Sequence, residues 1–216
     1  MKIAKDGMPV VLAVLFISLL LVLTGWLLAT PILSIILYLL ALAISGFTLF
    51  FFRDPERNVP QGAYIISPAD GKVLSVDTVR EETYLNDSAR QISIFLSITD
   101  VHVNRYPVTG MVEHVAYMPG EYLLAWHPKA SELNERAEFG VKHSTGLRVF
   151  YRQITGYVAR RIVFHTKEGD QVVAGDRFGI MKFGSRMDVL LPLDMEIEVK
   201  EGDILVGGET ILAKIS

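Results

Sequence analysis

A serine directly after a glycine, Gly184-Ser185 between Phe183 and Arg186, has the makings of a step that cuts its own backbone. An amide carbonyl is a poor electrophile, so attack by the neighbouring hydroxyl needs a tight turn, a base for the hydroxyl and donors for the oxyanion. Gly184 supplies conformational freedom, although a Gly-Ser pair by itself is equally an ordinary turn. Two upstream segments carry groups of the missing kinds. Ser67-Pro68-Ala69-Asp70-Gly71 places Asp70 in a turn pair, where it either closes an Asx turn or orients or deprotonates a partner. Asp100-Val101-His102-Val103-Asn104-Arg105 places His102 and Asn104 on one face of a strand, able to address one pocket together. His127 and His165 read as surface or strand-end histidines. Neither His102 nor Asp70 has metal-ligand spacing to another His, Cys or carboxylate, so no metal site is expected.

Two kinds of element must hold these groups. From Gly7 to Phe52 there is no charged residue, which is too long for one crossing of a hydrocarbon core about 30 Å thick and fits two. Thr30-Pro31 marks the break, predicting helices near 9–28 and 32–52 joined as a hairpin. A cleavable signal peptide fits less well, because its apolar region is shorter and ends at a small-residue cleavage site. Lys2, Lys5, Arg53 and Arg57 flank the pair and its turn is uncharged, so the positive-inside rule places both ends and the following domain in the cytoplasm. The chain has no cysteine, which agrees with a reducing compartment. Phe50 to Phe52, followed by Arg53-Asp54-Pro55, reads as an aromatic exit at headgroup level.

Beyond residue 52 the chain holds 19 Lys and Arg against 23 Asp and Glu, no footprint for nucleic acid. Period-two patterns at 91–98, 147–151 and 195–199 predict strands, while 122–138 has partly helical or loop character. Lys167-Glu168-Gly169-Asp170 through Asp176 recurs 33 residues later as Lys200-Glu201-Gly202-Asp203 through Glu209, each copy a turn, a short strand, a glycine turn and another strand. The expected fold is mainly β, a compact sandwich or barrel-like domain following the helical hairpin.

Four motifs in this order, Phe-Phe-Arg-Asp-Pro from Phe51, Ser-Pro-Ala-Asp-Gly from Ser67, Asp-Val-His-Val-Asn-Arg from Asp100 and Phe-Gly-Ser-Arg from Phe183, resemble the short form of the phosphatidylserine decarboxylases. The resemblance runs from about Phe51 to the end. It implies a proenzyme with a membrane-anchoring hairpin at 1–52 and a decarboxylase domain at 53–216, cleaving itself between Gly184 and Ser185 into a β chain, 1–184, and an α chain, 185–216. Ser185 would become a covalent pyruvoyl group that forms a Schiff base with phosphatidylserine and releases carbon dioxide and phosphatidylethanolamine. It implies lipoyl/biotinyl-like hairpins in the fold, a place at the cell membrane, and compatibility with a homo-oligomer. Residue by residue, Asp70 corresponds to the acidic residue of self-cleavage and His102 to the histidine assisting decarboxylation. Long-form members carry a second histidine where this chain has Arg105, so the base for Ser185 is either His102 serving both steps or Asp70 acting directly. Asn104 and Arg105 are candidates for substrate contact, with a surface ion pair the alternative for Arg105.

Two other classes compete. Met181-Lys182 followed by a Gly-Asp turn resembles a biotin-type carrier modified at Lys182, although Phe183 stands where a second methionine is usual, and a carrier needs neither Asp70 nor His102. A non-enzymatic membrane-anchored scaffold would need only the hairpin and the β domain.

Overall fold

The computed structural model describes residues 2–127, 129–157, 162–181 and 185–215, and the chain divides into two compact units, Met1–Pro55 and Glu56–Ser216. In the first unit, strand β1 (Lys2–Ile3) and a short turn precede helices α1 (Met8–Leu27) and α2 (Pro31–Phe51), followed by strand β2 (Arg53–Asp54). Pro9 and Pro31 each sit in a first helical turn, where the missing N–H has no intrahelical role. Both helices are long and apolar enough to cross a membrane, and only 17% and 6% of their most apolar windows are buried. Small and hydroxyl side chains join them: Ser45 Oγ donates to Ser18 Oγ at 2.7 Å, and Ser34 Oγ to the Gly25 carbonyl at 2.7 Å. β1 pairs antiparallel with β2, so Lys2 stands opposite Asp54 and both ends of the hairpin come together. Of the three phenylalanines expected at the exit, only Phe50 is exposed, beneath the Arg53 guanidinium at 4.0 Å; Phe51 and Phe52 are buried.

The second unit is mainly β. Its strands are β3 (Tyr64–Ile66), β4 (Gly71–Glu81), β5 (Asp87–Leu96), β6 (Val103–Arg105), β7 (Gly110–Met118), β8 (Arg136–Lys142), β9 (Arg148–Ile154) and β10 (Ile162–Phe164). They continue with β11 (Gln171–Val172), β12 (Arg177–Met181), β13 (Ser185–Pro192), β14 (Ile204–Leu205) and β15 (Ile211–Lys214), and the short helix α3 (Ala130–Leu133) precedes β8. A curled antiparallel sheet of eight strands runs β11-β7-β8-β9-β13-β5-β4-β14, accompanied by a three-stranded sheet β10-β12-β6 and the pair β15-β3. Alternation along the strands turns Ile92, Ile94 and Leu96, Phe139 and Val141, and Met187, Val189 and Leu191 to one side. There they form one core with Tyr106, Phe178, Met181, Leu212 and Ala213 from the smaller sheets and the segments beside them.

The sequence repeat is a structural repeat. Lys167 N donates to Asp170 Oδ2 at 2.8 Å and Lys200 N to Asp203 Oδ2 at 3.0 Å, so the aspartate closes the same four-residue turn from its end twice. Gly169 and Gly202, and then Gly175 and Gly208, all have positive φ, which explains why glycine recurs at those offsets. Each copy docks on a sheet edge in the same way: Gly169 N donates to Val112 O and Gly202 N to Val73 O, both at 2.9 Å. β11 and β14 therefore close the two ends of the large sheet.

Two expectations are corrected. Residues 195–199 form no strand; Ile197 makes only an isolated bridge to Ala213, and Met195, Ile197 and Val199 bury against the core without a ladder partner. Their alternation reports burial, which a period-two pattern cannot tell from pairing. In 122–138 the helix is confined to α3, and Arg136 to Glu138 begin β8.

Candidate active site

Ser185 opens β13, the fifth of eight strands, and pairs across to Leu96 of β5. By alternation its side chain shares the inward face with Met187 and Val189. The residue is completely buried, and its Oγ has no hydrogen-bond partner among the described residues. A buried hydroxyl without a partner costs on the order of 1–3 kcal/mol, which a purely structural serine would avoid. Gly184, expected to form the cleavage site with Ser185, lies outside the described residues, as do Phe183 and Lys182, the expected carrier lysine.

His102 immediately precedes β6, and its carbonyl accepts the Met181 N–H at 3.2 Å, beside the Val103–Ile180 pair. It therefore stands across from the last residue of β12, four positions before Ser185. The imidazole is fully buried, with Nδ1 3.0 Å from the Asp100 carbonyl oxygen. A carbonyl can only accept, so Nδ1 carries a proton, and in the neutral ring the lone pair is on Nε2, the tautomer suited to a general base.

Asn104 is also fully buried, and Gln153 Nε2 donates to its Oδ1 at 2.8 Å. Gln153, on β9 opposite Met187, shares the inward face with Ser185. No motif marks it, and the one sequence signal for it is an amide at the apolar phase of Val149-Phe150-Tyr151-Arg152-Gln153. Arg105 is 5% exposed, and its Nη1 donates to the Gly175 carbonyl at 2.8 Å, so its guanidinium is held inside the fold. A Cβ added at Gly208 would meet Arg105 Cδ at 2.8 Å, so this side chain lies beside both repeated glycine turns.

Asp70 lies in the turn before β4. Both its oxygens accept from Arg57 Nη2 at 2.8 Å, and Gly207 N donates to Oδ1 at 2.8 Å. Lys72 and Arg186 flank Phe95 from either side, so two inter-strand spacings, about 10 Å, separate the Asp70 end of β4 from Ser185. Arg105 N donates to the Pro68 carbonyl at 2.9 Å, which ties the Asp70 loop to β6. The fold thus brings the Asp70 loop to the His102–Arg105 strand, and commits the Asp70 carboxylate to a guanidinium and a backbone N–H.

The outward face of β13 carries a separate polar array. Arg186 Nε donates to Asp188 Oδ1 at 2.7 Å, its Nη2 to Ser93 Oγ at 2.6 Å, and Ser131 Oγ donates to Asp188 Oδ2 at 2.7 Å. A cavity of about 880 Å³ opens on this face, lined by Gln91, Trp126, Ser131, Arg152 and Arg186. It is behind the sheet as seen from Ser185, and its guanidiniums pair internally, Arg186 with Asp188 and Arg152 with Glu138 at 3.3 Å.

The family model for phosphatidylserine decarboxylase matches residues 44–213, which include Asp70, His102 and Ser185. A phosphatidylserine decarboxylase proenzyme of Salinibacter ruber is 53% identical over 182 residues, covering 82% of this chain and 80% of that protein. Proenzymes of the same name from Amoebophilus asiaticus and Symbiobacterium thermophilum are 43% and 40% identical, covering 100% and 99% of this chain and 97% and 95% of theirs. With most of its length matched at this identity, the chain belongs to the phosphatidylserine decarboxylase family.

Proposed function

We propose that this chain is a precursor that splits between Gly184 and Ser185 into a β chain, 1–184, and an α chain, 185–216, and that the product decarboxylates phosphatidylserine to phosphatidylethanolamine. The observation carrying the proposal is the completely buried, unpartnered Ser185 Oγ in a central strand. His102 Nε2 takes the hydroxyl proton as Oγ attacks the Gly184 carbonyl, and the proton passes to the nitrogen of residue 185 as the C–N bond breaks. The resulting ester then loses the Cα proton of residue 185 as its Oγ–Cβ bond breaks, which frees the Gly184 carboxylate, and water replaces the nitrogen, which leaves as ammonia. His102, rather than Asp70, is assigned as the base, because both Asp70 oxygens already accept hydrogen bonds. Asp70 serves self-cleavage by holding Arg57 and the Gly207 turn beside β6. Arg105 is assigned to fixing the repeated glycine turns, which have the character of lipoyl/biotinyl-like hairpins.

The Ser185 position fits a pyruvoyl group, since its side chain is enclosed by the inward sheet face and has no hydrogen bond to lose. Such a group supplies a carbonyl conjugated to an amide, which takes up the electron pair left when carbon dioxide departs. The inward face excludes water, and His102 Nε2 is the group held ready to move a proton there. Residues 1–52 anchor the enzyme to the cell membrane, and Lys2, Lys5, Arg53 and Arg57 favour a cytoplasmic domain, 53–216. Sharing the bilayer with a diacyl substrate raises the effective concentration at the headgroup.

The test is one preparation and two readouts. Wild type should run as two chains on a denaturing gel, with a C-terminal fragment whose mass fits a pyruvoyl end, and should release carbon dioxide from phosphatidylserine in mixed micelles. Ser185→Ala should stay whole and inactive. An unsplit wild type that still decarboxylates the lipid would overturn the mechanism, and a fragment bearing a modified Lys182 would favour a carrier.

A further inference from the structure

Three fully buried residues meet the inward face at Ser185 with a polar atom left unpaired among the described residues: Ser185 Oγ, Asn104 Nδ2 and Gln153 Oε1. Gln153 is opposite Met187, which makes it the diagonal neighbour of Ser185, about 7–8 Å away at Cα and within reach of a long side chain. Asn104 reaches the same place from β6, two residues after His102. An Asn–Gln pair that closes only one hydrogen bond always leaves one donor and one acceptor over. In the observed orientation Gln153 Nε2 grips Asn104 Oδ1 at 2.8 Å, so the left-over donor belongs to Asn104. Cutting the peptide bond before Ser185 puts negative charge on a carbonyl oxygen, and a buried, already oriented N–H is the group that lowers that barrier.

We propose that Asn104 Nδ2 is a side-chain donor to the oxyanion formed during self-cleavage, and that Gln153 is a positioning residue that latches the Asn104 amide so that its nitrogen faces the reaction. The inference rests on the self-cleaving reading of Ser185. Gln153 moves no proton: Oγ loses its proton to His102 and the nitrogen of residue 185 regains it, while Asn104 contributes only the hydrogen bond. Flanking strands present Ala137 and Met187 beside Gln153, and the same strand presents Tyr151, whose hydroxyl burial keeps neutral.

Gln153→Glu separates a latch from mere packing. An ionised carboxylate only accepts, so it turns the Asn104 amide over and consumes the Nδ2 donor; a protonated one can still donate to Oδ1. Splitting of freshly made full-length precursor, followed by gel from pH 5 to 9, should be at least about tenfold slower than wild type at pH 8 and should recover towards low pH as a ratio to wild type. His102 is common to both proteins and cancels in that ratio. Folding is checked by circular dichroism in a Ser185→Ala background. If Gln153→Glu does not fold, Gln153→Met removes the latch without adding charge and should also slow splitting about tenfold or more. Wild-type splitting in the folded variant, or a ratio that does not change with pH, overturns the latch. A wild type that never splits overturns the parent reading instead, so the two failures are distinct.

Discussion

Replacing Arg186 by Met tests whether the outward face of β13 secures the strand that begins at Ser185. Arg186 is 6% exposed and gives Asp188 Oδ1 its 2.7 Å charge-assisted bond, while Asp188 is completely buried. Without the guanidinium, Asp188 keeps only the Ser131 hydroxyl, and Ser93 Oγ loses the donor at 2.6 Å. Breaking a buried pair by deleting one partner costs about 3–5 kcal/mol, because a charge is stranded in a poorly polar place. At ~2–4 °C per kcal/mol for a unit of this size, the melting temperature should fall by roughly 6–20 °C. The assay is a thermal melt in detergent by near-ultraviolet circular dichroism, in the Ser185→Ala background so that every sample is one unbroken chain. Arg186→Met combined with Asp188→Leu should regain most of the loss, since removing both charges removes the stranded one, with a coupling of about 2 kcal/mol or more. A single-variant loss below about 1 kcal/mol, or two losses that simply add, would refute the reasoning.

Glu81 gives a pH-dependent prediction. Burial raises its carboxyl pKa, but N–H donors from Tyr84, Leu85 and Thr83 outweigh that and hold it below the ordinary 4.5. Its contribution is therefore present above about pH 4.5 and lost as pH falls through the lower folded value. Glu81→Gln should cost about 1–3 kcal/mol at pH 7, and urea unfolding at decreasing pH should show the gap to wild type closing; a constant gap would contradict the assignment. Gly71→Ala places a Cβ 2.3 Å from the Phe95 carbonyl oxygen at a φ of +152°. It should destabilise by about 1–3 kcal/mol and slow splitting, because Phe95 is the ladder partner of Arg186; an unchanged melting curve would count against it.

Local patterns in the sequence foretold what depends on neighbours along the chain. The uncharged stretch from Gly7 to Phe52 became two helices, and the duplicated Lys-Glu-Gly-Asp became two turns closed alike by aspartate side chains, with positive-φ glycines. Ser185 and His102 stood out by residue type and motif, and both are buried near the end of β12. What escaped depends on contacts distant in sequence. Gln153 is an ordinary polar residue until Asn104, 49 positions earlier, is brought against it. Asp70 looked available as a base because nothing in its turn shows that Arg57 and Gly207 will occupy its oxygens. Residues 195–199 alternate as a strand does, yet the backbone beside them at Leu212 and Ala213 meets them only at an isolated bridge and not along a ladder.

Ser185 begins a strand bonded on both sides, to β5 and β9, and the residues after it also supply β14 and β15. For the proposed self-cleavage that position sets an order of events: assembly of the sheet must come before the cut, because Ser185 is buried only once its neighbours are paired. The proposed cut would make residues 185–216 a separate molecule, retained by hydrogen bonds and by Met187, Val189, Leu191 and Leu212 in the core. Denaturation then turns a one-body problem into a two-body one. Recovery of the mature enzyme should depend on concentration, whereas the uncut Ser185→Ala chain renatures alone. The durability of the mature protein is thus a matter of how slowly it first opens.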